Sequence, residues 1–171
     1  MTYHFLISSI KSYFMFCSSE IPSHLKSSAS IHVLSVYKIL EHEVKFSNCL
    51  RRKYACGILD KNGTLLKVSH NHAYACKNGC DRIIKNIPHG TRYEECSSVH
   101  AEQAALIGST GYSLDDGYMV IRGFDMETGE EIEALPCKIC ARMILFSGIK
   151  TIFTNKAEYN ASDLCYKIIM E

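Results

Sequence analysis

The stretch YMVIRGFDMETGEEIEALPCKICARMILFSGIKTIFTN, residues 118–155, decides the fold. Its first apolar run, residues 118–124, predicts a strand, and residues 126–135 predict a hairpin. A helix is expected over residues 137–146, because a glycine follows closely, and a further strand over residues 151–155. Strand, helix and strand in this order predict an α/β layered fold.

The sequence before this stretch predicts a helix, a hairpin and a second helix. Apolar residues recur at helical spacing over residues 31–46. Two apolar runs, residues 54–59 and 65–71, flank an Asp-Lys-Asn-Gly turn at residues 60–63, which is a hairpin signal. The second helix is expected within VHAEQAALIGSTG, residues 99–111, and ends at one of the two glycines.

Two segments show no regular period. Residues 72–98 contain scattered glycine, proline and charged residues, so we predict a long loop that is functional or is held by something other than a core. Residues 1–30 are rich in serine and aromatic residues, and we expect a loosely structured N-terminal extension there. The folded domain is expected over residues 31–171, with a last helix capped by Ser162.

The composition limits the class of protein. A chain of 171 residues with 47% hydrophobic and 22% charged residues has the values of one ordinary globular domain. Its formal charge of +1 gives no bulk basic field, so a polynucleotide partner is not expected. No apolar run approaches the ~18 residues that span a bilayer, so no membrane partner is expected either.

Cysteine is the unusual residue of this chain. Nine cysteines stand beside eight histidines, and an odd number excludes complete internal pairing. The N-terminal residues lack the basic start and unbroken apolar stretch of a secretory signal, so we expect a cytoplasmic protein with reduced thiols. In that setting, clustered cysteine and histidine indicate metal binding before disulfides.

Two short motifs carry the candidate chemistry. His100 and Glu102 lie at the start of one predicted helix, and Cys137 and Cys140, after a proline, lie at the start of another. Three N and S ligands leave the fourth tetrahedral position of Zn²⁺ open for water, which is the catalytic arrangement. Glu102 is two residues from a ligand and can move protons without binding the metal.

The combination of the two motifs is more specific than either motif alone. His-x-Glu followed by Pro-Cys-x-x-Cys is the established signature of zinc nucleobase deaminases. The alternative is a glutamate at a helix start and an unrelated buried pair of cysteines. A redox-active Cys-x-x-Cys pair without metal, or a zinc-stabilised scaffold without activity, also stays open.

The chain resembles the cytidine and deoxycytidylate deaminase superfamily, and most of all the deoxycytidylate deaminases. The stretches that carry the resemblance are CLRRKYACGILDKNG (49–63), CKNGCDR (76–82), IPHGTRYEECSSVHAEQAAL (87–106) and PCKICARMILFSGIKTIF (136–153). The resemblance implies a three-layer α/β/α cytidine-deaminase-like fold with a central mixed sheet of about five strands. It also implies a homo-oligomer.

The resemblance implies an activity and a set of site residues. His100, Cys137 and Cys140 would bind zinc, and Glu102 would protonate N3 of a cytosine ring while water adds to C4 and ammonia leaves. The substrate would be a small nucleotide or nucleoside, with conversion of dCMP to dUMP as the leading expectation. Three positions would contact this substrate: Asn71 through its side chain, and the backbone around Ala101 and Pro136.

A second zinc ion is expected from the same resemblance. Cys49, Cys76, Cys80 and Cys96 lie in or near the long loop, where a closed tetrahedral site would hold a segment with little core. His89 could replace one of these sulfurs. The alternative is that the four cysteines are simply small buried apolar residues.

Several positions depart from the deoxycytidylate deaminase pattern. Residues 69–73 read Ser-His-Asn-His-Ala where a Gly-Tyr-Asn-Gly run is usual, and Ala104 stands where asparagine is usual. The substrate is therefore left open among a nucleotide, a nucleoside, a modified base and another aminated heterocycle, with a tRNA or polynucleotide less favoured. Basic residues that could bind a phosphate, or could simply face solvent, are Arg51, Arg52, Lys53, Arg82 and Arg92.

Overall fold

The computed structural model describes residues 21–28, 31–76 and 79–171. The helices are α1 (Ser23–Ser28), α2 (Ile31–Glu43), α3 (Asp81–Ile84), α4 (Ala101–Gly108), α5 (Lys138–Ser147) and α6 (Ala161–Met170). The strands are β1 (Arg52–Leu59), β2 (Leu65–His70), β3 (His72–Ala73), β4 (Ser98–Val99), β5 (Tyr118–Asp125), β6 (Glu131–Ile132), β7 (Thr151–Phe153) and β8 (Glu158–Asn160). Single 3-10 turns lie at Val44–Phe46 and Tyr93–Glu95.

The central sheet is mixed. Its strands lie in the order β2-β1-β5-β7-β8, and the short β6 pairs with β5. Strands β5 and β7 are parallel because α5 connects them across one face, and the other pairs are antiparallel. The expected mixed sheet of about five strands is confirmed, and β3 and β4 form a separate two-stranded sheet.

Helices cover both faces of the sheet, which confirms the three-layer α/β/α arrangement. On one face, the apolar side of α2 packs on alternate residues of β1 and β5, such as Ala55 and Val120. On the other face, α4, α5 and α6 pack on residues such as Cys56, Met119 and Ile121. Because side chains alternate along each strand, the sheet contributes residues to two separate cores, one on each face.

The structure differs from the sequence predictions at two places, before α2 and at the start of α6. Ile21 and Leu25 are buried in the core beneath α2, so the C-terminal part of the expected loose extension packs on the domain. Residues 1–20 lie outside the described residues. The Ser162 cap was wrong: Asn160 caps α6, and its side-chain oxygen accepts a hydrogen bond from the Asp163 N–H at 3.1 Å.

The segment at residues 72–98 is mostly irregular, as predicted, but it includes short regular elements. It contains β3, one turn of helix in α3 and the 3-10 turn before Cys96. In the part of the chain that the structure describes, no helix is both long enough and apolar enough to span a bilayer.

Candidate active site

Two helix N-termini bring three candidate ligands together. His100 immediately precedes α4, and Cys137 immediately precedes α5, with Cys140 in the first turn of α5. The His100 Nδ1 atom lies 3.4 Å from Cys137 Sγ and 3.5 Å from Cys140 Sγ. All three donor atoms lie within 4.8 Å of one another.

This spacing fits a tetrahedral zinc ion. Bonds of ~2.1 Å to nitrogen and ~2.3 Å to sulfur, at tetrahedral angles, place the two donors ~3.6 Å apart. The distances of 3.4 and 3.5 Å from His100 Nδ1 to the two sulfurs agree with this value. Thiolate and imidazole donors are also the ligands that zinc prefers. The protein thus offers three ligands and leaves room for a fourth.

Local hydrogen bonds explain why these side chains hold their positions. The Cys140 backbone N–H donates to Cys137 Sγ at 3.5 Å, so the sulfur caps the start of α5. At the start of α4, the backbone N–H of His100 donates to Gln103 Oε1 at 2.9 Å. The sequence analysis assigned no role to Gln103, although a Gln three residues after a helix start is a known capping signal.

The ionisation of the ligands is coupled. A hydrogen bond from Cys140 lowers the pKa of the Cys137 thiol to about 4 against the opposing effect of burial, and His100 lowers it further. Burial disfavours a charged His100, but hydrogen bonds with Cys137 and Cys96 raise its pKa to about 10. The lowered pKa of Cys137 favours the thiolate, which is the form of cysteine that binds a metal ion.

Glu102 lies in the first turn of α4 and reaches the same cavity as His100 and Cys137. Its side chain is buried, and burial raises the pKa of the carboxyl group, while the positive charge of His100 lowers it. A carboxyl group in this position can accept a proton and return it.

A cavity of about 90 Å³ that opens to solvent lies beside these residues. Tyr54, Tyr93 and Leu135 form part of its wall. Neither tyrosine could be predicted as a site residue, because an isolated tyrosine in a strand or a loop carries no local signal of a binding role.

Three arginines line the cavity, and two of them have no acidic partner. Arg52 pairs with Asp125 at 3.1 Å. Within the described part of the chain, neither Arg51 nor Arg82 forms an ion pair, and each has one buried nitrogen without a hydrogen-bond partner, Nη1 and Nε respectively. Burial, followed by the charges of Arg52 and Arg51, also lowers the pKa of His89 on the same wall. The cavity therefore holds two arginines that form no ion pair within the described residues, and its lining also includes Glu102, Cys96 and Cys137.

Asn71 lines the cavity, but most of its amide is used inside the protein. Its Oδ1 atom accepts hydrogen bonds from Ser47 Oγ at 2.6 Å and from the Tyr54 N–H at 2.8 Å. Its Nδ2 atom donates to the Arg52 carbonyl at 2.9 Å. A contact of Asn71 with substrate stays a prediction.

Ala101 and Pro136 are buried and do not themselves line the cavity. Their chain neighbours do, since His100 and Glu102 flank Ala101, and Leu135 and Cys137 flank Pro136. A contact of these two positions with substrate through the backbone stays a prediction.

Of the four cysteines of the expected second zinc site, Cys49, Cys80 and Cys96 line the cavity beside His100. Cys76 lines a second cavity but is in hydrogen-bond contact with Cys80. The second zinc site stays a prediction. Hydrogen bonding with His100 lowers the pKa of Cys96 to about 7, which places this thiol beside the first metal site. Among residues 21–28, 31–76 and 79–171, only the His100 group brings three such ligand atoms within 4.8 Å.

Comparison with known families decides the identity of this site. The family model described as the cytidine and deoxycytidylate deaminase zinc-binding region matches residues 32–156. The chain belongs to this family. Its members are zinc-dependent enzymes, and this deaminase accordingly is a hydrolase of C–N bonds that acts on a cytosine compound with Zn²⁺ as cofactor. No curated protein sequence matches the deaminase significantly.

Solved structures share the fold of the deaminase. The dCMP deaminase of the cyanophage S-TIM5, solved with dCMP and dUMP, is 19% identical with a TM-score of 0.50, over 79% of this chain and 90% of that one. The cytidine deaminase of Burkholderia pseudomallei is 14% identical with a TM-score of 0.53, over 79% of this chain and 95% of that one. At these identities the likeness concerns the fold alone.

Proposed function

We propose that the protein deaminates dCMP to dUMP and ammonia. The observation that carries the choice of a nucleotide over a nucleoside is the pair Arg51 and Arg82, whose charges have no acidic partner in the cavity that also holds Glu102. Guanidinium groups that lack an acidic partner and keep a buried nitrogen without a hydrogen bond favour an anion as the occupant of the cavity. The 5′-phosphate of a mononucleotide supplies that anion at one end and the reactive base at the other.

The residues of the site suit hydrolysis at C4 of cytosine. His100, Cys137 and Cys140 would hold a zinc ion, which acts as a Lewis acid that lowers the pKa of water. Glu102 accepts a proton from the attacking water and passes it to N3 of the ring. It then transfers the second proton of the water to the exocyclic amine, so that ammonia leaves and a carbonyl group remains at C4.

The anchor for the phosphate is already held in place. Arg51 Nη2 donates to the Ile87 carbonyl at 2.5 Å, and Arg82 Nη2 donates to the Thr91 carbonyl at 2.5 Å. These bonds fix the two side chains but leave Nη1 of Arg51 and Nε of Arg82 free to donate. Little side-chain entropy is then lost when a phosphate binds.

The deciding experiment compares ammonia release from dCMP, deoxycytidine, cytidine and adenosine by the zinc-loaded protein. We expect turnover of dCMP with a kcat/KM at least about 100-fold above deoxycytidine, equivalent to the loss of one charge-assisted phosphate contact or more. Arg51→Met should remove most of this preference while leaving deoxycytidine turnover unchanged. Equal turnover of dCMP and deoxycytidine would establish the nucleoside alternative, and silence on both would reject the proposal.

We further propose that the deaminase is a homo-oligomer. The helical face formed by α4 and α5 exposes Ile107, Ile139 and Phe146, with Phe146 96% exposed. Large exposed apolar side chains on one layer favour burial against a second copy. Light scattering of the unchanged protein should give a mass of at least two chains, and Phe146→Ser should lower that mass. A monomeric mass of the unchanged protein would contradict this proposal.

A further inference from the structure

The His100 imidazole has an aromatic neighbour that the chemistry described above does not use. The ring of Tyr93 lies with its centroid 5.5 Å from that of His100, at an interplanar angle of 68°, which is an edge-to-face contact. Aromatic pairs favour this geometry because the positive edge of one ring meets the negative face of the other. The contact leaves His100 Nδ1 directed at the two sulfurs.

Tyr93 is itself held by a buried cation. The guanidinium carbon of Arg82 lies 5.1 Å from the centre of the Tyr93 ring. Arg82 is only 7% exposed, and its bond to the Thr91 carbonyl ties it to the same segment as Tyr93. A desolvated cation over an aromatic ring is a stronger contact than one at the surface.

The segment that carries Tyr93 has few apolar contacts of its own. The residues in its 3-10 turn are at most half-buried, and Arg92 enters this turn with a positive φ of 51°. Glu95 receives ion pairs from Lys85 and Arg92, which fix the turn from outside. The Tyr93 ring is therefore held by polar contacts at a defined place against His100, rather than by general core packing.

A histidine that binds a metal needs a second contact to fix the direction of its ring. This contact is usually a hydrogen bond from the other ring nitrogen to a carboxylate or a carbonyl group. Among the described residues, the hydrogen bonds of the His100 imidazole run to the two ligand sulfurs and to the Cys96 thiol, and none runs to a carboxylate or a carbonyl group. Tyr93 supplies the one ring contact to His100 in that part of the chain.

We infer that Tyr93 is a positioning residue, which holds the His100 imidazole in the direction that zinc requires and is itself held by Arg82. The inference rests on the zinc site of the proposed function but not on the identity of the substrate. Without the ring of Tyr93, the His100 imidazole can turn away from the two sulfurs. One of the three protein ligands is then correctly oriented for a metal ion in only a fraction of the molecules.

The test is zinc affinity, measured by competition with a chromogenic chelator on the full chain without substrate. Tyr93→Ala should weaken zinc binding about 10- to 100-fold, the usual effect of losing a residue that orients a metal ligand. Tyr93→Phe keeps the ring and should bind within about threefold of the unchanged protein. Tyr166→Ala, at an exposed tyrosine outside the cavity, is the matched control and should have no effect.

A second readout separates positioning from general destabilisation. With Co²⁺ in place of zinc, Tyr93→Ala should shift the d–d absorption bands, while Tyr93→Phe and Tyr166→Ala should not. If Tyr93→Ala does not fold, Tyr93→Leu fills the same space without an aromatic edge and should show the same loss of affinity. Unchanged zinc affinity in either variant overturns the inference, as does an equal loss in Tyr93→Phe.

The two proposals can fail independently. An unchanged protein that binds no zinc would refute the metal site on which both depend. An unchanged protein that binds zinc but does not deaminate dCMP would refute only the proposed substrate, and the affinity series for Tyr93 would still decide the positioning role.

Discussion

The Ser47 hydroxyl donates a buried hydrogen bond of 2.6 Å to the side-chain oxygen of Asn71. This bond joins the chain after α2 to the junction of β2 and β3. The same Asn71 oxygen accepts the Tyr54 N–H, and the Asn71 amide donates to the Arg52 carbonyl, so one side chain satisfies groups on two segments. Asn71 therefore stabilises the wall of the cavity as well as facing it.

Asn71→Ala should lower the stability of the protein by about 2–4 kcal/mol, because it leaves buried donors and an acceptor unpaired. Urea denaturation of the zinc-saturated protein measures this change. Ser47→Ala removes one partner only and should cost about 1 kcal/mol. A stable Asn71→Ala protein that has lost only its activity would instead make Asn71 purely a substrate contact.

Glu102→Gln keeps the shape of the side chain and removes its capacity to carry a proton. Turnover should fall by about 10²–10⁴-fold, the usual contribution of a positioned acid–base group, while zinc content stays the same. Ammonia release and elemental analysis of the same sample measure both quantities. Glu130→Gln, at an exposed glutamate, is the control and should keep full activity. Near-normal turnover in Glu102→Gln would end the assignment of Glu102.

Cys137→Ser should abolish retention of zinc on dialysis, because a serine hydroxyl is a much weaker zinc ligand than a cysteine thiolate. Zinc content and activity should fall together. Cys165→Ala, at a cysteine of α6 that is buried in the core, serves as control and should retain the metal. Full zinc occupancy in Cys137→Ser would show that the ligand set is different.

The zinc group could be predicted from the sequence because each ligand lies in a short motif at a helix start. To place His100 and Cys137 together, it is enough to predict where two helices begin and that the sheet brings these two helix starts close to each other. The contact of Arg82 with Tyr93, by contrast, depends on the path of an irregular segment, which no periodicity encodes. Ser162 failed as a cap for a similar reason, since Asn160, two residues earlier, offers an equally good side chain.

The internal bonds of Asn71 could not be predicted either. Its position in the sequence indicated a substrate contact, but its partners Ser47 and Tyr54 lie 24 and 17 residues away and meet it only after the sheet has formed. The sequence pattern is the same for a side chain that only lines a cavity and for one that also stabilises the cavity wall through hydrogen bonds.

The count of zinc ions per chain decides the role of the remaining cysteines. Because the His100 group alone brings three ligand atoms within 4.8 Å of one another among the described residues, we expect one ion per chain by elemental analysis. The variant Cys76→Ser/Cys80→Ser should then keep that ion and its activity. Two ions per chain, with one lost in this double variant, would instead establish a second site that holds the loop before α4. In that case the ion would fix a segment with little apolar core, and its removal should lower the melting temperature without removing the catalytic metal.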